Sequence, residues 1–583
     1  MDTQKTCLGR LHALLMPALL GPLLGLHTGL QAASSAASAV PPPLLPVYTD
    51  MPRVADAWRY DEVLARIWLG TRARLVDAYA LPLVHRPKSE QPGDAVSEGV
   101  GYGMIAALYA NDQDGFNRIW SAGENKMWTG AFYNWRVDEK GGVIGTGAAT
   151  DAEEDIACML VFAAKLVEKG IWTPYTGPKG ATYAKRAQDM IESIWTLMVA
   201  DGKYLDPGSG WAKGAFVNPG YFSPAYYRVY DAYQPGRHDW KGLIDQCYKT
   251  LSASPGNARG LVPDWMTPDG QFTGDKLGYN SYADGKAMYK DAIRVEWRLA
   301  MDWLWYQEPR AKAFLDRAMA FIGQAGRADF YQMDGTPVAE SFTLGNGVMR
   351  PRKEHSHLTV GMWAPVALVS GTPEAATSFS RELLSFHEPG ADFWGRSHAA
   401  DNEDTLHNEM YFDQFLAWFG AATVSGVFAN VYENVNLPGF QAHPAWASPP
   451  TAVPATLSGA ISGYTIAGKY SSPVNWAAVI ADADGTARKV FTGAGATLQI
   501  VWDGHDEAGA PMVSGKYSLR ILTRGLGVDT LVRADPNSGI LRKGRPSHAA
   551  RTEYWLPGWK GAIRIGETLQ EVDGRRLLPW IPD

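Results

Sequence analysis

The sequence predicts a large helical domain followed by a small all-β module, and three observations carry that division. From about residue 55 to 430 apolar side chains recur at spacings of three and four. Near residue 436 prolines cluster, and beyond them short β-type runs alternate with turn signals. The N-terminus comes first in the chain and reads differently from both parts. Lys5 and Arg10 precede an apolar run from Leu11 to Leu26 and the small-residue stretch AASSAASA at 32–39. That order is the one expected of a cleaved secretory leader over residues 1–39, leaving an exported protein, secreted or periplasmic, with no membrane span in its mature form. Pro17 and Pro22 inside the run favour cleavage over retention as an anchor.

In the helical part, Ile156, Met159, Leu160, Ala163 and Val167 form one apolar stripe, and Tyr183, Ala187, Met190, Ile194 and Met198 form a second. Phe314, Leu315, Ala318, Phe321 and Ile322 form a third. Long loops rich in Gly, Pro, Trp and Tyr separate such stripes, as at 206–227, and long loops in a compact helical domain usually carry function. Residues 40–435 are assigned to this domain and 436–456, with Pro438, Pro444, Pro449, Pro450 and Pro454, to an extended linker. The runs WAAVIA at 476–481, ATLQIVW at 496–502 and KYSLRILT at 516–523 place a small β-sandwich module over 457–530, leaving 531–583 as a tail.

Composition narrows the function. The chain has 583 residues, 54 basic against 61 acidic, and a formal net charge of -7, the wrong sign for a protein held on phosphates, so nucleic acid is not an expected partner. Hydrophobic residues make up 46% and charged residues 20%, which supports a packed core and excludes a wholly disordered or collagen-like chain. Sixteen of the 22 Trp residues lie from Trp58 to Trp418, pointing to broad flat apolar surfaces in that segment. Loss of Cys7 with the leader leaves Cys158 and Cys247 in helix-like apolar surroundings, where buried free thiols are expected and a single disulfide is the alternative.

Three segments carry candidate chemistry. In AVSEGVGYGM at 95–104, Glu98 precedes a helix-forming stretch and is followed by Gly99, Gly101 and Gly103, where backbone can approach a ligand closely; a plain helix-dipole partner is the alternative. In ATDAEEDIA at 149–157, four acids fall within five residues at the start of an amphipathic helix, either as a solvated first turn or as a functional site. In MYKDAIRVEWR at 288–298, Asp291 and Arg294 are three apart on one helical face, an arrangement that keeps the carboxylate ionised for general-base work or makes a structural ion pair.

With NPGYFSPAYYR at 218–228 and DAIRVEWRLAMDWLWY at 291–306, these motifs occur in the order and rough spacing of glycoside hydrolase family 8, the bacterial family of endoglucanases, xylanases and chitosanases. The resemblance covers roughly residues 50–430 and ends at Tyr411, Phe412 and Asp413. It implies an (α/α)6 barrel with a substrate cleft at one end. It also implies that Glu98 is the general acid, Asp291 the general base, and Asp151 the carboxylate that holds the distorted sugar in the -1 subsite. Arg294 and Tyr221 would line the same region. The implied mechanism is single displacement with inversion, needing neither metal nor organic cofactor. Glu153, Met159 and Val167 depart from the family pattern within one helix, at positions that bear on packing and substrate more than on these three carboxyls.

Trp135 in YNWRVD and Trp211 in GSGWAKGAF are candidate platforms for pyranose rings, with core packing the alternative, and Tyr221 and Tyr226 are candidate hydroxyls at the cleft wall. His355 and His357 lack an obvious third ligand and read as a solvated loop rather than a metal site. DADG at 482–485 reads as a hairpin turn. The run from Trp502 to Tyr517 resembles the immunoglobulin-like domain of flagellar hook-capping proteins, implying a spacer or a module that docks to another protein or the cell envelope. The sequence thus points to a secreted inverting endo-β-1,4-glucanase acting on cellulose-type chains. Xylan, chitosan and mixed-linkage glucan remain alternative substrates, a hydrolase trimming cellulose during export is a third reading, and a non-catalytic glycan-binding or envelope-assembly protein is the rival class.

Overall fold

The computed structural model describes residues 51–54, 57, 60–87, 89, 91–273, 285–338, 341–343, 349–351, 355–388, 393–395, 411–435, 446–454, 464–481, 487–512, 515–525 and 556–565. The expected leader, the DADG turn and most of the tail lie outside the described residues. The described part is helix-rich. Its longer helices are α1 (Tyr60–Arg72), α2 (Ser97–Tyr109), α3 (Gln113–Lys126), α4 (Thr150–Glu168), α5 (Tyr183–Met198) and α6 (Pro224–Tyr233). They continue with α7 (Trp240–Ser252), α8 (Arg294–Tyr306), α9 (Pro309–Ala325), α10 (His357–Ser370), α11 (Pro373–Ser385) and α12 (Tyr411–Val424).

Burial separates these helices into two kinds. In α5 the buried residues form the stripe read from the periodicity, Tyr183, Ala187, Met190, Ile194 and Met198 among them, and α9 buries Ala311, Phe314, Leu315, Ala318 and Ile322. By contrast α2, α4, α8, α10 and α12 are buried along almost their whole length. A helix apolar all round belongs inside a layer of others, whereas a striped one belongs outside. The packing follows that rule: α2 packs on α4, α4 on α6, α6 on α8, α8 on α10, α10 on α12, and α12 returns to α2. Each of α3, α5, α7, α9 and α11 flanks the even-numbered helix before it, and α1 flanks α12.

Three of the inner helices also begin differently from the outer ones, whereas inner α10 starts with a capping box of Ser356 and Thr359. Asp112, Thr182, Asp239 and Thr372 cap α3, α5, α7 and α11 with side-chain oxygens. The inner helices α2, α4 and α8 start without a side-chain cap, and acids stand in their first turns. Their N-terminal ends carry all three segments singled out for chemistry. A short antiparallel sheet, β1 (His85–Arg86), β2 (Asp94–Val96), β3 (Arg136–Val137) and β4 (Val143–Gly145) in that order, leads directly into α2.

The Trp residues are mostly core: Trp68, Trp120, Trp240, Trp297, Trp363, Trp394 and Trp418 are fully buried, so their abundance reflects packing more than an exposed apolar surface. Cys158 and Cys247 are free and buried.

At the C-terminal end, strands Trp446–Pro454, Tyr464–Ala481, Ala487–Trp502, Gly515–Gly525 and Leu556–Ile565 pair antiparallel in one sheet, with the longest strand contacting the first three of the others. Leu498, Ile500 and Trp502 alternate inward with exposed Gln499 and Val501 between them, as a sheet with one buried face requires, and Trp476, Ala478, Val479 and Ile480 are all buried on the neighbouring strand. The segments expected to be linker and tail both contribute strands. The pairing among the described residues joins these strands in one hydrogen-bonded sheet, whose longest strand pairs with Trp446–Pro454 along its first part and with Gly515–Gly525 along its second. Residues 446–454 of the supposed linker form a strand, whose register shifts between Ser448 and Thr451 where Pro449 and Pro450 supply no N–H. Leu556–Ile565, placed in the tail, pairs with Gly515–Gly525.

Candidate active site

Arg294 is the hub of the site. Its side chain is fully buried, and its Nη1 donates to Glu98 Oε2 at 2.9 Å, to Asp151 Oδ2 at 2.7 Å and to the Tyr102 hydroxyl at 3.1 Å. Nη2 donates to Asp291 Oδ1 at 2.9 Å and Nε to the Asp291 carbonyl at 3.1 Å. One rigid guanidinium therefore gathers three carboxyls from the N-terminal ends of α2, α4 and α8. Glu98 Oε2 and Asp291 Oδ1 are separated by no more than about 8 Å, the two hydrogen bonds laid end to end across the planar fork. Asp291 lies in the turn just ahead of α8, so the two residues meet through a turn instead of along a helical face.

The three carboxyls differ in their access to water. Asp151 has 1% of its side chain exposed, Glu98 15% and Asp291 33%. One positive charge cannot balance three negative ones, so the cluster favours holding a proton, and the combined forces on Glu98 favour its protonated form. Burial first, then the charge of Asp151 and a hydrogen bond with it, push Glu98 up to about 8 against the opposing pull of Arg294. The Tyr411 hydroxyl donates to Glu98 Oε1 at 2.5 Å and fixes the carboxyl from the α12 side. Asp291 is also raised, by burial, with Arg294 the largest force in the other direction.

The position of Asp291 is set by two neighbours. Buried Asp264 accepts from the backbone N–H of Tyr289 at 2.9 Å and of Ala292 at 2.8 Å, pinning the turn. Gly220 lies so close that a Cβ there would stand 2.0 Å from the Asp291 carbonyl oxygen. Gly220→Ala is therefore expected to displace Asp291, lowering kcat at least about tenfold and stability by about 1–3 kcal/mol, read by initial rates and thermal unfolding.

The acidic cluster is not a solvated turn: all four acids are buried and each has its own partner. Asp151 meets Arg294, Glu153 accepts from Tyr133 N at 2.7 Å, and Asp155 pairs with buried Arg298 at 2.8 Å. Glu154 accepts from Ser223 Oγ at 2.8 Å and the Tyr227 hydroxyl at 2.6 Å, and burial pushes it up to about 8.

The glycines after Glu98 serve packing rather than a ligand, since a Cβ on Gly101 would meet Asp155 and one on Gly103 would meet Val84 and Ile119. Tyr226 is fully buried against Arg298 and Trp305, which removes it from the cleft wall. Tyr221 is half-buried with its ring 5.0 Å from the Arg294 guanidinium carbon, in the site. His355 is tied to the Ala328 carbonyl and Glu382, and His357 is buried at the start of α10, so neither belongs to a solvated loop. No cluster able to hold a metal is found among the described residues.

Trp135 and Trp211 are both exposed, at 37% and 46%. The carbonyl of Trp135 accepts from Ser97 N–H at 3.0 Å, which places it one residue from Glu98. Trp211 packs edge-on against Phe216 and Trp265, and Trp265 in turn contacts Tyr221. Sequence reasoning did not assign roles to Tyr102, Tyr411 or Asp264. Tyr102 was within reach, since it lies four residues after Glu98 on the same helical face.

Residues 84–356 match the family model described as Glycosyl hydrolases family 8. "Endoglucanase 2" of Ruminiclostridium josui is 35% identical over 257 residues, covering 43% of this chain and 52% of that one. "Endoglucanase A" of Acetivibrio thermocellus is 35% identical over 260 residues, covering 42% and 50%. "Reducing-end xylose-releasing exo-oligoxylanase Rex8A" of Paenibacillus barcinonensis is 24% identical over 267 residues, covering 42% and 66%. The chain spans about half the length of the endoglucanases it matches. No helix among the described residues is long and apolar enough to cross a membrane.

Proposed function

We propose, from the premise that residues 84–356 belong to the glycosyl hydrolases of family 8, that the protein is an exported inverting endo-β-1,4-glucanase in which Glu98 is the general acid and Asp291 the general base. The observation that carries the reading is the buried Arg294 binding Glu98, Asp151 and Asp291 at once. The ring of inner helices and its outer companions support an (α/α)6 barrel with the site at the end where the inner helices begin. The two endoglucanase relatives support a glucan over xylan.

The chemistry follows from the environments. Glu98, held protonated near neutral pH, gives its proton to the glycosidic oxygen as the bond to the anomeric carbon breaks. Asp291 has the most solvent access of the three and a fixed partner in Arg294, so it takes a proton from water entering the opposite ring face. The upper limit of about 8 Å between the two carboxyl oxygens admits the separation of about 6.5–9.5 Å that inverting enzymes need for that water, and the assignment of inversion rests on the family resemblance. Asp151, almost fully buried and ionically tied to Arg294, is the carboxylate that the family resemblance assigns to holding the sugar at the reacting end. After each turnover Glu98 is ionised and Asp291 protonated, and exchange with solvent restores both.

Release of reducing ends from barley β-glucan, carboxymethylcellulose, xylan and chitosan tests the reading. Activity is expected on the two glucans and lost in Asp291→Asn. Silence on all four polymers from folded protein would favour the non-catalytic class. For the platforms, Trp211→Ala is expected to raise KM about 5–30-fold with little change in kcat, the loss of about 1–2 kcal/mol of apolar burial against a sugar face. Unchanged KM on long chains would remove Trp211 from the substrate path.

A further inference from the structure

The sheet leading into α2 holds an arrangement that the acid–base machinery does not use. Asp94 on β2 has a fully buried side chain and is shared by two arginines. Arg86 on β1 donates through Nε to Asp94 Oδ1 at 2.8 Å and through Nη2 to Oδ2, while Arg136 on β3 donates through Nε to Oδ2 at 2.5 Å. Counted against Asp94 alone, the two guanidiniums carry one positive charge in excess, with Glu98 the next carboxyl acting on Arg86, and both remain partly open to solvent, at 23% and 16%. The strand register sets Arg136 opposite Val96, two residues before Glu98, and Arg86 opposite Asp94.

The same arginine borders the aromatic platform. The Arg136 guanidinium carbon lies 5.6 Å from the Trp135 ring centroid. The indole of Trp135 lies against Gly145 of β4, where a Cβ would stand 2.5 Å from its Cε2 and Nε1, so only glycine leaves room for the ring there beside Arg136. An exposed indole with guanidinium N–H donors at its margin matches the two aspects of a pyranose, an apolar face and a rim of acceptor oxygens.

We infer that Trp135, Arg136 and Arg86 form a cationic sugar subsite beside Glu98, which admits neutral β-glucan and β-glucan bearing carboxylate groups and rejects the polycationic glucosamine chain of chitosan. This inference rests on the proposed glucanase reading and decides among its substrates. The excess charge attracts a carboxylate on the bound ring, hydrogen-bonds neutral hydroxyls, and repels a protonated amine at the same place.

The test compares kcat/KM on barley β-glucan, carboxymethylcellulose and chitosan at pH 5.5, in the wild-type chain, Arg136→Gln and Arg136→Lys. In the wild type, chitosan is expected to be cleaved at least about a hundredfold more slowly than the glucans, and 0.5 M NaCl to weaken the carboxymethylcellulose reaction more than the β-glucan reaction, as screening requires. Arg136→Gln should lower the ratio of kcat/KM on carboxymethylcellulose to that on β-glucan about tenfold, through KM, while Arg136→Lys keeps most of that ratio. Comparable rates on chitosan and β-glucan, or an unchanged ratio in Arg136→Gln, would overturn the subsite. Inactivity of the wild type on every polymer would instead overturn the glucanase reading.

Discussion

Replacing Glu98 by Gln is expected to lower kcat on a soluble β-glucan by about 10²–10⁴-fold while leaving KM nearly unchanged, because the amide keeps the shape of the acid but has no proton to give. The wild-type pH profile carries the same signature. With Glu98 pushed up to about 8, the acid is protonated below that value, so activity should fall as pH rises through it. Asp291 must be ionised to act as base, and its raised value moves the acidic limb of the profile above the ordinary aspartate range. Glu98→Gln should abolish the alkaline limb and retain the acidic one, measured as kcat/KM against pH. An alkaline limb that survives in the variant would assign the proton donor elsewhere.

Replacing Arg294 by Met should have the largest effect on the folded state. The guanidinium has no solvent exposure and is the shared cation of Glu98, Asp151 and Asp291, so its loss strands buried negative charge. Breaking a buried pair in this way costs about 3–5 kcal/mol, and urea unfolding should show a midpoint shift of that size together with loss of activity. Arg294→Lys should recover little of either, since an ammonium has no planar fork to reach Asp151 and Glu98 from one nitrogen and Asp291 from the other. A Met variant with wild-type stability would mean that the three carboxyls hold each other's protons without help.

Much of this was legible in the sequence, and the limits have physical causes. The stripe from Tyr183 to Met198 coincides with the buried face of α5 because that helix packs on one side only. The helices around the site bury nearly every residue, so periodicity alone says little about what they face. The acidic run at 151–155 shows the difficulty best. Charge density suggests a solvated turn or a functional site, yet each of the four acids is buried on its own partner, and three of those partners come from segments far along the chain. Local spacing did find the Asp291–Arg294 pair, three residues apart. It had no means of finding that Arg294 also reaches Glu98, 196 residues away, or that Tyr411 closes on the same carboxyl from 313 residues away. Tyr221 and Tyr226 occupy one motif and have opposite fates, since α6 turns Tyr226 into the core while Tyr221 precedes that helix.

The central claim is that Glu98 and Asp291 work on opposite faces of one sugar ring, and the stereochemistry of the first product tests it most directly. Proton NMR of a β-1,4-gluco-oligosaccharide during its first minutes of hydrolysis should show the α-anomer of the new reducing end appearing before mutarotation, as single displacement at a β-linkage requires. Initial appearance of the β-anomer would mean retention, with Asp291 or another carboxyl acting as nucleophile, and would contradict the account.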